Sequence, residues 1–156
     1  MRYVLLLVLA VALIVSMSPA QDLSVVGRFG LSDFSNGGGV GLQIGGGVDY
    51  GLKHDLLLGS EFNINTQGGG PIEWGNYVKY MIDLPSSKVK PYIDGGFNLW
   101  FYTGGPYFGL RFGGGIYFPV TPQISIPADI QLGPVFTSGS STFYFAMTSG
   151  IRYTLP

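Results

Sequence analysis

The feature that most constrains this chain is an alternation of apolar and polar residues that recurs with a period of two. Successive side chains of a β-strand point to opposite faces, so this period indicates strands with one apolar and one polar face. Eight segments show the alternation, namely 23–31, 40–50, 56–65, 72–82, 89–101, 107–118, 123–132 and 143–155. In the last of them, Phe143, Phe145 and Met147 share the apolar face. The sequence therefore predicts an all-β, antiparallel protein.

The composition indicates what these strands face. Charged residues are 11% of the chain, against an ordinary value of about 25%. Glycine is abundant, with 26 residues, and aromatic residues reach 15%. The segments also match the ~9–11 residues of a tilted strand that crosses a bilayer. Since only a closed barrel satisfies the backbone of such strands in lipid, we expect an eight-stranded antiparallel up-and-down transmembrane β-barrel.

The N-terminus has the pattern of a secretory signal peptide. Arg2 precedes an apolar stretch from Tyr3 to Val15, and Ser18-Pro19-Ala20 places small residues before a cleavage site at Gln21. The alternative is a membrane anchor. The stretch is shorter than the ~20 residues of a spanning helix, and no basic cluster follows it. The pattern favours a cleaved signal.

We therefore expect a signal peptide over residues 1–20 and an outer-membrane β-barrel domain over 21–156. Cysteine is absent from the sequence, which excludes disulfides and thiolate metal sites. The formal net charge of −1 argues against nucleic acid as a partner, because nucleic-acid binding requires a basic surface. The sequence predicts neither a cofactor nor a metal.

The connections between the strands alternate in character. Three are compact turns, at 51–55, 84–88 and 119–122. The intervening ones are rich in Gly, Ser and Thr, and they span 32–39, 66–71, 103–106 and 133–142. Tight turns at one end of a barrel and looser loops at the other are typical of its periplasmic and external ends.

The polar face of the strands carries nearly all of their charges. The predicted interior charge network consists of Arg28, Asp49, Glu61, Lys79, Asp94, Arg111, Asp129 and Arg152. Glu73 and Lys90 share this face, nearer to strand ends. Eight strands leave just enough room for side chains to fill the barrel, and buried charges must be paired.

We expect the partners to come from neighbouring strands. This predicts Lys79 beside Asp94, Arg111 beside Asp94 and Asp129, and Arg152 beside Asp129. Closure would let Arg28 reach acids on the second strand. Two interpretations of the network remain: a polar plug, or the lining of a narrow aqueous path. The small interior of an eight-stranded barrel favours the plug.

Aromatic residues of the apolar face concentrate towards the strand ends. The predicted aromatic girdle consists of Tyr50, Trp74, Tyr80, Phe101, Phe108, Phe118, Phe143 and Tyr153. Such girdles form at both membrane interfaces, where rings and polar tips are both accommodated. The alternative is a set of core aromatics in a soluble sandwich, which the ordered polar face disfavours.

The sequence offers little for catalysis. Its only histidine is His54, in a compact turn, where it lacks the nucleophile that a Ser–His mechanism needs beside it. With Asp55 alone it makes a poor metal site. Glu61 and Glu73 are explained more simply as structural ion-pair groups than as an acid/base pair. The Gly-rich runs lack the Lys-Ser/Thr pair of phosphate loops. We expect no enzymatic activity.

Three segments resemble a known family. Val89–Phe97 (VKPYIDGGF) and Phe108–Phe118 (FGLRFGGGIYF) are similar to strands of the small OmpA-like and OmpX-like outer-membrane barrels, and Gly150–Leu155 is similar to their terminal strand. The resemblance implies a monomer in the bacterial outer membrane, surrounded by lipid and lipopolysaccharide and inserted by the outer-membrane assembly machinery. The chain departs from the family in ending on Leu155-Pro156 instead of an aromatic residue, and in its shorter loops.

Three functions follow as hypotheses. The first is a non-enzymatic outer-membrane barrel with a structural, envelope-integrity role, indicated by the charged interior and the short loops. The second is a narrow, porin-like channel for ions or small solutes. The third is a soluble secreted barrel that holds an apolar ligand, which would require the apolar face to point inwards.

Overall fold

The computed structural model describes residues 22–35, 39–67, 69–102 and 104–156. These residues form one closed antiparallel barrel in which the strands follow each other in chain order. The strands are β1 (Leu23–Phe34), β2 (Gly41–Lys53), β3 (Leu56–Asn65), β4 (Ile72–Met81), β5 (Lys90–Tyr102), β6 (Gly105–Pro119), β7 (Ile124–Thr137) and β8 (Ser140–Thr154). The predicted fold class is confirmed. The predicted signal peptide lies outside the described residues.

Pairing of the first and last strands closes the barrel. Ser24 lies opposite Thr154, and the register continues to Phe34 opposite Tyr144. Each of the eight described strands is thus hydrogen-bonded on both sides. Closure is the arrangement that leaves no unpaired strand edge in a hydrocarbon environment. Among the described residues, no helix is long and apolar enough to cross a membrane.

The two ends of the barrel differ. The turn end carries the connections 54–55, 82–89 and 120–123 together with Asp22 and Pro156, and the loop end carries the other four connections. At the loop end, the predicted loop over 133–142 is wrong. Strand β7 continues to Thr137 and β8 begins at Ser140, so that Ser138 and Gly139 alone form the tip. Gly139 has a φ of 89°, which favours glycine at this tight turn.

The Gly, Ser and Thr residues of 133–142 predict a loop, because these residues are common in loops and glycine weakens strands. In the structure, a Cβ atom on Gly133 would collide with the carbonyl oxygen of Leu110, so glycine lets β6 and β7 approach closely. The connection between β5 and β6 is also shorter than predicted, because residues at its end pair with β5. Pro106 belongs to β6 and lies opposite Phe101. The contrast between tight turns and loose loops is therefore weaker than the sequence indicates.

The barrel has an apolar exterior and a polar interior. Phe29, Ile44 and Ile151 point outwards with 63%, 61% and 61% of their surface exposed, while Lys79 and Arg111 are buried. This distribution is the reverse of that in soluble proteins, where charged residues are exposed and large apolar residues form the core. The hypothesis of a soluble barrel that holds an apolar ligand is contradicted, because its apolar face would have to point inwards.

Glycine also creates space for large interior side chains. The ring of Tyr77 covers Gly59 on the neighbouring strand, where a Cβ atom would overlap the ring carbons. We expect Gly59→Ala to lower the free energy of unfolding by about 1–3 kcal/mol, because it overpacks the interior. Denaturant unfolding of the protein folded in lipid vesicles measures this change.

Gly27→Ala is the matched control for this substitution. Gly27 also lies within a strand, but a Cβ atom there would meet nothing within 4 Å. The steric explanation would be refuted if both variants changed stability by the same amount.

Candidate functional site in the barrel interior

The strands bring all eight predicted interior charges into the barrel, where ion pairs join them in two layers. The alternation along each strand turns these side chains inwards, where six of the residues are buried outright. The side chain of Asp94 is 2% exposed, and that of Arg152 is 16% exposed at the turn end. The network therefore extends through the middle of the barrel to its turn end.

Glu61 on β3 is the centre of the network. One of its carboxylate oxygens lies 2.8 Å from Nη1 of Arg28 on β1, and the other lies 2.5 Å from Nη1 of Arg111 on β6. The outer sides of the two guanidinium groups face further acids. Arg28 Nε lies 3.4 Å from Asp129, and Arg111 Nε lies 3.1 Å from Asp94. Alternating charges thus extend across the whole interior, from β7 through β1, β3 and β6 to β5.

A second layer lies nearer the turn end, around Asp49. Lys79 Nζ is 3.2 Å from Asp49 Oδ2, and the hydroxyl groups of Tyr77 and Tyr117 donate hydrogen bonds of 2.9 and 3.1 Å to the same carboxylate. Arg152 Nε approaches it to 3.7 Å. Lys79 also lies 4.4 Å from the ring centre of Tyr92, so that aromatic faces surround its charge. The buried ammonium group of Lys79 therefore has its partners within the protein and needs no contact with water.

The structure corrects several of the predicted partners. Arg111 does pair with Asp94, but its second partner is Glu61 rather than Asp129. Lys79 pairs with Asp49, although it lies directly opposite Asp94 in the register of β4 and β5.

The predicted pair of Arg152 with Asp129 is wrong as well, since Arg152 reaches Asp49. The physical reason is common to these corrections. Long side chains on adjacent strands extend side by side towards the axis, so their charged ends meet groups from distant strands.

Glu73 belongs to the site although the sequence placed it near a strand end. It is fully buried, and its carboxylate accepts hydrogen bonds from the amides of Asn63, Asn98 and Gln43, at 3.0, 2.5 and 3.3 Å. Within the described part of the chain, no salt bridge reaches Glu73. The interior therefore holds one more acid than the balanced set predicted from the sequence. The three amide residues were missed, although the alternation along their strands already turns them inwards.

Aromatic side chains close the interior at the loop end. Trp100 packs edge-on against Tyr144, with ring centres 4.6 Å apart, and Phe34 contacts both rings at 5.1 and 5.2 Å. Val135 and Ala146 complete this buried cluster. The cluster lies towards the loop end, where Trp100 is opposite Glu73 in the register of β4 and β5 and the hydroxyl of Tyr144 donates a hydrogen bond of 3.0 Å to Gln43.

A cavity of about 190 Å³ opens at the turn end. Its lining includes Lys53, Lys90, Tyr117, Ser125 and Arg152. Lys90, which the sequence placed near the end of the interior face, is exposed at this opening. The cavity reaches as far as Tyr117 and Arg152, which belong to the layer around Asp49.

The eight aromatic residues of the predicted girdle point outwards in two groups of four. Tyr50, Tyr80, Phe118 and Tyr153 lie near the turn end, and Trp74, Phe101, Phe108 and Phe143 lie near the loop end. Trp74 is half-buried, stacks on Phe62 at 5.8 Å and donates a hydrogen bond of 3.0 Å to Ser60 Oγ. The apolar band of the barrel lies between the two groups.

The closed barrel, its apolar exterior and its charged interior define a class of protein, the small eight-stranded transmembrane β-barrels. Among solved structures, the chain is similar to Neisserial surface protein A (NspA), with a TM-score of 0.69 and 16% identity over 86% of this chain and 96% of that one. It is also similar to the N-terminal β-barrel domain of Pseudomonas aeruginosa OprF, with a TM-score of 0.62 and 13% identity over 86% and 99% of the two chains.

A third similar structure is the outer membrane enzyme PagL, with a TM-score of 0.57 and 12% identity over 83% of this chain and 98% of that one. No family model and no curated protein matches the chain. At these identities the likeness shows the shared fold alone.

The central position of Glu61 leads to a stability prediction. We expect Glu61→Ala to lower the free energy of unfolding by about 3–5 kcal/mol, because it leaves Arg28 and Arg111 without their shared partner in a buried site. Denaturant unfolding in lipid vesicles measures the change. Asp22→Asn is the control, since Asp22 is exposed at the turn end. A Glu61→Ala barrel as stable as the control would show that the network contributes little.

Proposed function

We propose that the protein is a non-enzymatic barrel of the bacterial outer membrane with a structural, envelope-integrity role. The observation that carries this proposal is the filled interior. Two layers of paired charges and an aromatic cluster occupy the space that an open pore would need. A barrel of this kind occupies the membrane and reinforces it without opening a wide path through it.

The outer surface supports the proposed location. The apolar band and the two groups of aromatic residues fit a bilayer with its two interfaces. Proteins of similar fold are named as outer-membrane or surface proteins. We place lipopolysaccharide around the loop end, and we propose that the assembly machinery recognises the last strand, Ser140–Thr154. Because the closed sheet has no free edge for a second copy, we propose a monomer.

The absence of enzymatic activity is part of the proposal. The acids of the interior are engaged with guanidinium, ammonium or amide groups, as expected for structural ion pairs. His54 lies in the turn between β2 and β3, on the exposed end of the barrel and outside this network. PagL is named as an enzyme, which shows that this fold is compatible with catalysis and decides nothing about this chain.

A narrow channel is the second candidate, and one observation favours it. Several buried polar atoms have no hydrogen-bond partner among the described residues, including Nη2 of Arg28, Oδ1 of Asp129 and the hydroxyl of Tyr92. Buried polar atoms without a protein partner commonly bind internal water in globular proteins. A chain of water molecules from the turn-end cavity along these atoms would carry protons or small ions past the ion pairs.

Conductance distinguishes the two candidates. We expect the purified protein to show no stable open channel in planar bilayers, because the ion pairs and Trp100 block the path. The triple variant Glu61→Ala/Arg111→Ala/Trp100→Ala serves as the positive control. It removes two facing side chains from the middle of the barrel together with the Trp100 ring at the loop end, and it should give measurable current. Stable openings of the unmodified protein would overturn the plugged barrel and support the channel.

The location has its own test. Expressed with its own N-terminus in a Gram-negative host, the protein should sediment with the outer membrane and require detergent for release. The folded barrel should also migrate differently in gel electrophoresis before and after boiling, because a closed hydrogen-bonded sheet resists detergent. Recovery in the soluble periplasmic fraction would contradict the proposed location.

A further inference from the structure

One group of potential metal ligands lies outside the interior network, at the turn end. His54 and Asp55 form the turn between β2 and β3, and Asp83 follows β4 in the next connection at this end. Their ligand atoms, one imidazole nitrogen and one oxygen from each carboxylate, all lie within 4.8 Å of one another. The sequence places only two of these residues together. The fold supplies the third.

The backbone holds the two connections in place. The amide of Met81 donates a 2.7 Å hydrogen bond to the carbonyl of Asp55, which extends the pairing of β3 and β4 beyond Leu56 and Tyr80. The next amide, of Ile82, donates a 2.8 Å hydrogen bond to the carbonyl of Pro91. Asp83 therefore follows a segment fixed on both sides, one residue beyond its last bond. The three side chains meet because of the register and not through a chance contact of mobile loops.

In the described part of the chain, the carboxylates of this group form no ion pair. Two carboxylates held this close repel each other unless a cation lies between them. Among the described residues, no salt bridge reaches Asp55 or Asp83, although Lys53 and Lys90 line the adjacent cavity. His54 adds an imidazole nitrogen donor on the same side. The group therefore offers two carboxylate oxygens and one imidazole nitrogen as ligands, and neither Lys53 nor Lys90 forms a salt bridge with it.

This donor set selects among cations. Zinc is bound by imidazole nitrogen and carboxylate oxygen at about 2.0–2.2 Å, so two ligands of one ion lie within about 4.4 Å of each other. Small rotations of exposed side chains cover the remaining difference. Calcium and magnesium prefer oxygen ligands only and gain little from the imidazole. Three protein ligands would leave a position for water, as in zinc sites that are not closed.

We propose that His54, Asp55 and Asp83 bind one divalent transition-metal ion, of which zinc fits the donors well. The ion joins the β2–β3 turn to the β4–β5 connection at the turn end. The protein thereby holds a metal at the face that the proposed orientation places towards the periplasm.

Calorimetric titration of ZnCl₂ into untagged full-length protein in detergent tests the proposal. The expected result is saturable binding of one ion per chain. His54→Ala and Asp83→Asn should each weaken the affinity by at least about tenfold, since each loses one of three ligands. Asp22→Asn is the matched control, because it removes an exposed carboxylate from the same end but from outside the group.

The absence of saturable binding, or equal affinity in all four proteins, would overturn the site. Both residues changed in the test variants are exposed, and heat-dependent gel mobility checks that each variant still forms the barrel. Failure of the zinc site leaves the proposed structural role untouched, because that role rests on the interior network.

The single histidine of the sequence allows a direct spectroscopic test. On addition of zinc, the imidazole carbon and proton signals of the intact protein should shift, and excess magnesium should neither reproduce nor reverse the shift. Asp22→Asn should behave like the unmodified protein, whereas Asp83→Asn should need much more zinc. If the imidazole signals of Asp83→Asn shift at the same zinc concentrations as those of the unmodified protein, His54 binds zinc without Asp83. That result contradicts the three-residue site.

Discussion

The structure depends on one constraint, the need of every strand for a hydrogen-bonding partner on both sides. A hydrocarbon environment offers no substitute for a missing backbone partner, so the sheet must close. The pairing of β1 with β8 meets this need. Closure also decides where polar residues can lie. With lipid outside, the charges of the strands have only the interior, and with eight strands that interior is small enough to bring them into contact.

Confinement in the interior restricts which arrangement of the charged side chains can form. Glu61 contacts guanidinium groups from two strands that are not its neighbours, and each of those contacts a further acid. A buried charge without a partner is costly, so each side chain restricts the positions of the others. The aromatic cluster around Trp100 then covers this polar column at the loop end. The same groups that stabilise the barrel also occupy its lumen, which links stability to the proposed lack of conduction.

The alternation of residues predicts the fold well because its period reports the faces of a strand directly. It predicts the interior position of Asp49, Glu61 and Arg111 for the same reason. It does not predict their partners, since reach across the lumen depends on side-chain length and on the stagger of all strands. It also misjudges strand ends. Gly133 is a strand residue because of a close backbone contact with Leu110, and that contact exists only in the folded barrel.

The salt bridges across the lumen have a consequence for how the barrel assembles. Arg28 lies on the first strand, and its acid partners lie on β3 and β7. A curved sheet that is still open between its first and last strands has Arg28 on one edge strand and Asp129 on the strand next to the other edge, so the two side chains are apart. Partly inserted intermediates therefore contain charged side chains without ion-pair partners and backbone groups without hydrogen-bond partners. Both are resolved when β1 pairs with β8. This pairing therefore makes insertion cooperative and disfavours barrels that are only partly closed.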